Sequence, residues 1–168
     1  NADIINFGQS SIEASTVVTA IKAGSVINLS ATAATAALTI VGTSTSIIHA
    51  DALASATAIT VADSGEYHFG ALASASGALD ITATTASDFG ALTAVNASSI
   101  GGESVAIAAL ASVTGTLTLP DATAVNAPVF VGSTGNGITA PSALTVSVES
   151  IAADDLDADS MTSLTTTA

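Results

Sequence analysis

The sequence predicts an all-β fold, a single-domain parallel β-solenoid with coils of about 20 residues and a short N-terminal capping segment. Three observations carry that expectation. Phe69-Gly70-Ala71-Leu72 recurs almost literally as Phe89-Gly90-Ala91-Leu92, and related leucines stand at Leu53 and Leu110, so the intervals are 19, 20 and 18 residues. Short runs that alternate apolar with polar residues return at a similar spacing. Ala, Val, Ile and Leu make up most of the hydrophobic 49% of the chain, and aromatics are only 3%. Small aliphatic side chains suit layers of backbone stacked closely and regularly.

The N-terminal segment, residues 1–24, is read as a cap or docking segment. Asn1-Ala2-Asp3 has no basic region of a signal peptide, the start expected of a processed chain or a fragment. Ile4, Ile5 and Phe7 are candidates for a strand that docks in a neighbouring subunit or forms the edge of the first coil. From Ser15 to Gly24 a short helix is expected: Ser15 caps it, Lys22 lies near its C-terminal dipole and Gly24 stops it. Such a helix would cover an open end of the solenoid, where strand edges are otherwise unpaired.

Residues 25–150 are read as the solenoid. The alternating runs are Ala37-Leu38-Thr39-Ile40, Ala58-Ile59-Thr60-Val61, Ala78-Leu79-Asp80-Ile81, Thr116-Leu117-Thr118-Leu119, Pro128-Val129-Phe130-Val131 and Ala143-Leu144-Thr145-Val146. Alternation over four positions marks a half-buried strand. A second strand per coil is expected before each leucine, at Ser46–His49, Glu66–Phe69 and Ser87–Phe89. An Ala-rich helical reading fits poorly, because period-two runs and β-branched residues dominate.

Leu110-Ala-Ser-Val113-Thr-Gly115-Thr-Leu117-Thr-Leu119-Pro120 resembles the repeat unit of leucine-rich right-handed β-helices, the family of receptor L domains and certain fungal cell-wall proteins. Ala122-Thr-Ala-Val125-Asn-Ala-Pro128-Val129 reads as a further copy, with Ala122 and Ala127 replacing the leading Leu and the Gly. The chain departs from that family in having no disulfide-bonded caps and in its uneven coil lengths. Its character is similar to bacterial and archaeal surface-layer, sheath or fibre proteins.

Charge narrows the partners. One lysine stands against 14 acidic residues, a formal net charge of −13. Nucleic-acid binding needs Lys and Arg on phosphates, and anionic membranes attract polybasic segments, so neither partner is expected. Membrane insertion is not expected either, since Ser, Thr and Gly interrupt every apolar run. Absence of cysteine excludes a disulfide framework. A near absence of basic residues and the Ala, Thr, Ser, Gly and Val content suggest an extracellular or cell-surface setting.

Several residues are candidates for chemistry. Four positions before the repeat leucines stand His49, His68, Asp88 and Ala106, expected to stack in one column. Two imidazoles and a carboxylate are Zn or Cu ligand types, although outward polar positions explain them equally well. Asp155, Asp157 and Asp159 follow the spacing that opens a calcium loop, without the Gly or Glu that complete one, in a segment 151–168 read as an acidic cap or tail. No cofactor is required by these residues, and a loose calcium site is the one candidate. Thr39, Thr60, Thr118 and Thr145 suggest an outward threonine ladder of the ice-binding kind, interrupted by Asp80 and Phe130, although ordinary β-propensity explains threonine on a strand face equally well. Asn28-Leu29-Ser30 and Asn96-Ala97-Ser98 match glycosylation sequons. No phosphate-binding loop, nucleophile elbow or dinucleotide fingerprint occurs, so an enzyme is not expected.

The expected function is a non-enzymatic extracellular structural protein that self-assembles through solenoid ends and edges into a filament, sheath or surface layer. A module that binds carbohydrate, ice or a host surface, with a surface glycan as partner, is the alternative.

Overall fold

Val26-Ile27-Asn28-Leu29 and Leu38-Thr39-Ile40-Val41 show how the chain folds: Ile27, Leu29, Leu38 and Ile40 point inward, Val26, Asn28, Thr39 and Val41 outward, and each run lies parallel on its counterpart one coil away. The computed structural model describes residues 2–132, 135–151 and 156–166. The nineteen strands among the described residues pair only in parallel, those between the first and last coils with a strand of the coils before and after, at intervals of 18 to 22 residues. The result is a three-sided parallel β-solenoid of about eight turns.

Three columns of strands run along it. The first column holds β1 (Ile4–Phe7), β4 (Val26–Leu29), β7 (Ile47–His49), the end of β9 (Ile59–His68), the end of β11 (Leu79–Asp88), β13 (Ser104–Ala106), the start of β15 (Ala124–Val131), the start of β17 (Thr145–Ser150) and β19 (Ser163–Thr166). The second holds β2 (Ser11–Ile12), β5 (Ala33–Ala34), β8 (Ser55–Ala56), β10 (Ser74–Ala75), the starts of β12 (Ala94–Ile100) and β14 (Ser112–Thr118), and then Val131 and Ser150. The third holds β3 (Thr16–Thr19), β6 (Leu38–Val41), the starts of β9 and β11, the ends of β12 and β14, β16 (Gly137–Thr139) and β18 (Leu156–Asp157).

Inward residues form buried ladders. Leu53, Leu72, Leu92 and Leu110 are at most 1% exposed, and each closes a tight turn by donating its N–H to a carbonyl three residues earlier. The predicted column of leucines is present. So are the strands before it, whose inward residues Ile48, Tyr67, Ser87, Val105, Val125 and Val146 stack in register. In the next inward ladder, Phe69 and Phe89 stack with centroids 5.5 Å apart and planes 6° from parallel.

Threonines at the corners hold coils to one another. Thr32, Thr93, Thr123 and Thr162 each donate both the backbone N–H and the hydroxyl to one carbonyl of the preceding coil, at 2.9–3.2 Å. Corner chemistry thus accounts for part of the threonine content.

Three expectations are corrected. Among the described residues there is no helix, and Thr16–Thr19 is a strand paired with Leu38–Val41. Four β-branched residues in succession, Thr16-Val17-Val18-Thr19, outweigh the capping pattern around them. Ile4–Phe7, Ser11–Ile12 and Thr16–Thr19 pair in the same register as the coils that follow. Second, the Ala122 unit is not the Leu110 unit one coil later. Val113 pairs with Val95 in the second column, whereas Val125 pairs with Val105 in the first. One turn-then-strand motif thus serves two different corners. Third, Pro128–Val131 runs through the corner after the first column into the second, and Leu144–Val146 leads into the first, so neither lies in the column of Thr39, Thr60 and Thr118.

Candidate functional site

One of the two outward ladders of the first column is polar except at Ala106. In register its residues are Asn6, Asn28, His49, His68, Asp88, Ala106, Asn126, Ser147 and Thr165. The predicted column of His49, His68 and Asp88 is its middle. Asn28 donates its amide to the Asn6 carbonyl oxygen at 2.8 Å, and the two imidazoles stack with centroids 5.1 Å apart and planes 12° from parallel. His49 Nδ1 lies 3.8 Å from Asp51 Oδ2, in the tight turn that follows.

This geometry limits what the column can ligate. Imidazole lone pairs lie in the ring plane, and two nearly parallel rings cannot aim them at a common ion unless one side chain rotates. Zinc–nitrogen bonds of about 2.0–2.1 Å leave no room for a 5.1 Å stack around one metal. Among the described residues, no three His, Asp or Glu side chains gather around a point where an ion would sit. As it stands, the column is a stacked and hydrogen-bonded polar rail.

Beside it lies a groove, with a cavity volume of about 340 Å³, lined by Asn6, Phe7, Leu29, His49, Asp51 and Ala52 among others. Its origin is a step in the corner. From the ladder to the second column, Asn6 to Ser11 and Asn28 to Ala33 span one residue fewer than His49 to Ser55 and His68 to Ser74. The turn carrying Asp51 therefore overhangs the shorter corners of the first two coils.

The other candidates are dispersed. Asp157 points outward beside Thr139, and Asp159 sits exposed in the turn Ala158–Met161. Asp155 lies outside the described residues. The outward third column reads Val17, Thr39, Thr60, Asp80, Ser99, Thr118, Thr139, Asp157. Thr145 is not in it and Phe130 is fully buried, so an unbroken threonine plane is absent from this column. Both sequon asparagines are engaged: the Asn28 amide binds Asn6, and the Asn96 amide donates to the Ser76 carbonyl at 2.7 Å. Ile4, Ile5 and Phe7 form β1, whose one partner among the described residues is β4.

One buried polar cluster escaped the sequence reading. The Tyr67 hydroxyl and Ser87 Oγ both donate to the Gly101 carbonyl, at 3.2 and 2.6 Å. Tyr67 and Ser87 succeed each other in an inward ladder, so the serine leaves room for the larger ring next to it. Burial pushes the Tyr67 phenol far above its ordinary value, opposed in part by the Ser87 hydroxyl. A phenol that ionises less readily folded than unfolded stabilises the fold fully below about pH 10 and loses that contribution as pH rises beyond it. Stability is expected to fall above pH 10 with a slope approaching about 1.4 kcal/mol per pH unit, and Tyr67→Phe is expected to remove most of it. Urea titrations between pH 8 and 11.5 check this; equal slopes in both proteins would refute it.

What the fold and these residues define is a parallel β-solenoid with a polar rail along one side. No protein-family model matches the chain, and no curated protein or solved structure is found to be similar to it.

Proposed function

We propose that this chain is a non-enzymatic, extracellular structural module of the leucine-rich β-helix and surface-layer or fibre type, which self-assembles through its coil edges. The observation that carries the reading is the pair of unpartnered edges. Away from β4 and β6, β1 and β3 have no strand partner among the described residues, and neither does β19 away from β17. Every strand is parallel, so these edges have the polarity by which interior coils already join, and a second copy can continue the stack head to tail. Apolar side chains stand exposed at the first coil, with Ile4 at 70% and Val17 at 67%, which favours cover by another molecule.

A net charge of −13 opposes close approach. Screening shortens electrostatic reach from about 30 Å at 0.01 M salt to about 8 Å at 0.15 M. Electron microscopy of the purified chain is expected to show filaments or sheets at physiological salt or with millimolar calcium, and dispersed particles at low salt. Monomers under all of these conditions would overturn the reading.

The groove beside the polar rail favours one second reading, a fibre module that holds a neutral glycan. It joins two Asn amides, an imidazole and a carboxylate to the apolar Phe7 and Leu29. A chain that stays monomeric yet binds neutral oligosaccharides, and loses that binding with Asn28→Ala, would support it over assembly.

A further inference from the structure

The corner between the third and first columns changes length from coil to coil. From Thr19 to Val26 it is one residue longer than from Val41 to Ile47, and three longer than from Ala62 to Glu66. The longest of these corners juts out as a knob, and its residues differ in kind from those of the next. Where the second coil turns through Thr43-Ser44-Thr45, the first turns through Ile21-Lys22-Ala23. Ile21 is 82% exposed, more than any other large apolar side chain among the described residues. Ala2 and Asp3 lie against Gly24 and Ser25 at this corner and leave Ile21 uncovered. Lys22 is the one basic residue of the sequence. Its ammonium donates to Asp3 Oδ1 at 2.6 Å and has two further hydrogens to give.

At the opposite edge of the first-column face is a socket of complementary chemistry. Between the second and third coils the groove described above is lined by Asn28, Leu29, His49, Asp51 and Ala52. The Asp51 carboxylate is held there, with Oδ1 accepting from the Gly70 N–H at 3.4 Å and Oδ2 3.8 Å from His49 Nδ1. A fixed anion thus stands beside the apolar Leu29 and Ala52. The second column next to it is uncharged in its outward ladder from Ala33 through Ser55, Ser74 and Ala94 to Ser112, so an acidic molecule meets no like charge on that side.

We infer that Ile21 and Lys22 of one copy seat in this groove of a second copy, Ile21 against Leu29 and Ala52 and Lys22 on Asp51. This rests on the self-assembly reading and gives it a lateral joint, with a protein side chain in the groove instead of a glycan. Charge selects the partner. In a chain of net charge −13, the sole cation stands next to the most exposed large apolar side chain, and the groove offers the matching anion and apolar wall.

Knob and socket are different surfaces at the two edges of one face. Successive copies are therefore related by translation along that face, and the contact leaves an open row instead of closing on itself. The knob ends the first coil and the socket lies one coil on, so neighbours are offset by about one rung, about 4.8 Å. A contact of two side chains buries far less than the roughly 1,000 Å² of a stable interface. Rows hold only where stacked copies repeat the contact along their length, so the joint turns filaments into sheets.

Charge reversal tests the joint. By electron microscopy, Lys22→Asp and Asp51→Lys are each expected to form filaments that lack the lateral repeat of the parent's sheets. Mixed in equal amounts, the two variants are expected to regain sheets, because each knob then meets the opposite charge in the other's socket. Asp51→Lys lowers the net negative charge, so general repulsion alone predicts the reverse, closer lateral packing. Both side chains are more than half exposed, and an unchanged circular dichroism spectrum and melting midpoint would show that the fold is kept. Ile21→Ser is expected to lose the sheets as well.

Sheets from either charge variant alone, a mixture that stays filamentous, or filaments but no sheets from the parent would overturn the joint and leave self-assembly standing. Sheets that survive Ile21→Ser, together with Asn28-dependent binding to an array of neutral oligosaccharides, would give the groove to a glycan and overturn it too. Dispersed particles from the parent under every condition would instead remove the self-assembly reading, and the joint with it.

Discussion

Phe89→Ala is expected to lower the stability of the solenoid by about 3–5 kcal/mol, the usual cost of emptying a buried aromatic site. Phe89 is fully buried, lies parallel to Phe69 and meets Tyr67 edge-on with centroids 5.5 Å apart. In its ladder the residues run Phe7, Leu29, Ala50, Phe69, Phe89, Ile107, Ala127, Val148, so the two central aromatics fill a width that alanine spans elsewhere. Backbone hydrogen bonds to both neighbouring coils fix the spacing of the rungs, which prevents the wall from collapsing into the space left. For a chain of this length the loss corresponds to a melting midpoint lower by roughly 6–20 °C. Tyr67→Phe, which keeps the ring and removes one donor to a carbonyl that Ser87 still serves, is expected to cost only about 0.5–1.5 kcal/mol at neutral pH. Thermal and urea unfolding of both variants measure the difference. A Phe89→Ala loss below 1 kcal/mol would mean that the aromatic stack does not hold the coils together.

The fold was legible because the leucine turn repeats where the coil length is steadiest. From Leu53 to Leu110 the corner after the first column has constant length, so counting back four residues from each leucine finds His49, His68 and Asp88 in register. Outside that stretch the same counting fails. The corners of the first two coils are one residue shorter, which hid Asn6 and Asn28 as the continuation of the histidine column. Beyond Leu119 the tight turn moves to the corner between the third and first columns. Ala122 and Val125 therefore look like the next copy of Leu110 and Val113 while occupying another side, and Thr145 was placed on the wrong ladder for the same reason.

Capping signals mislead at Ser15–Gly24, where they point to a helix while the β-branched Thr16–Thr19 finds a ready-made parallel edge in β6. Tertiary pairing wins there because each strand residue gains a ladder bond that no isolated short helix would hold. At the candidate site, sequence located the imidazoles but not their orientation. Whether two neighbouring rings stack or converge depends on side-chain rotation, which register does not determine. The Tyr67–Ser87–Gly101 cluster has no repeat to announce it: Tyr67 is the one tyrosine of the chain, and only the ladder brings it next to Ser87 and both within reach of Gly101.

Gly102 gives the second large effect, because space and backbone conformation act together there. Its φ is +124°, a conformation that L side chains rarely adopt, and a Cβ built on it would lie 2.8 Å from Ser87 Oγ. That oxygen is already committed to Gly101, on a carbonyl it shares with Tyr67. Alanine must therefore bear the strained backbone and push Ser87 away from its acceptor, leaving a buried hydroxyl without its bond. Strain of about 1–3 kcal/mol and an unmade buried hydrogen bond of about 1–3 kcal/mol together predict a loss of roughly 2–6 kcal/mol for Gly102→Ala. Gly8→Ala, where nothing lies within 4 Å of the added Cβ, is expected to stay within about 0.5 kcal/mol of the parent. Placing Gly102→Ala in a Ser87→Ala background removes the clashing oxygen but not the strain. In a double-mutant cycle the second substitution should then cost less than it does in the parent, by a coupling of about 1–3 kcal/mol. Strict additivity would show that the backbone alone, and not the contact with Ser87, demands glycine at this corner.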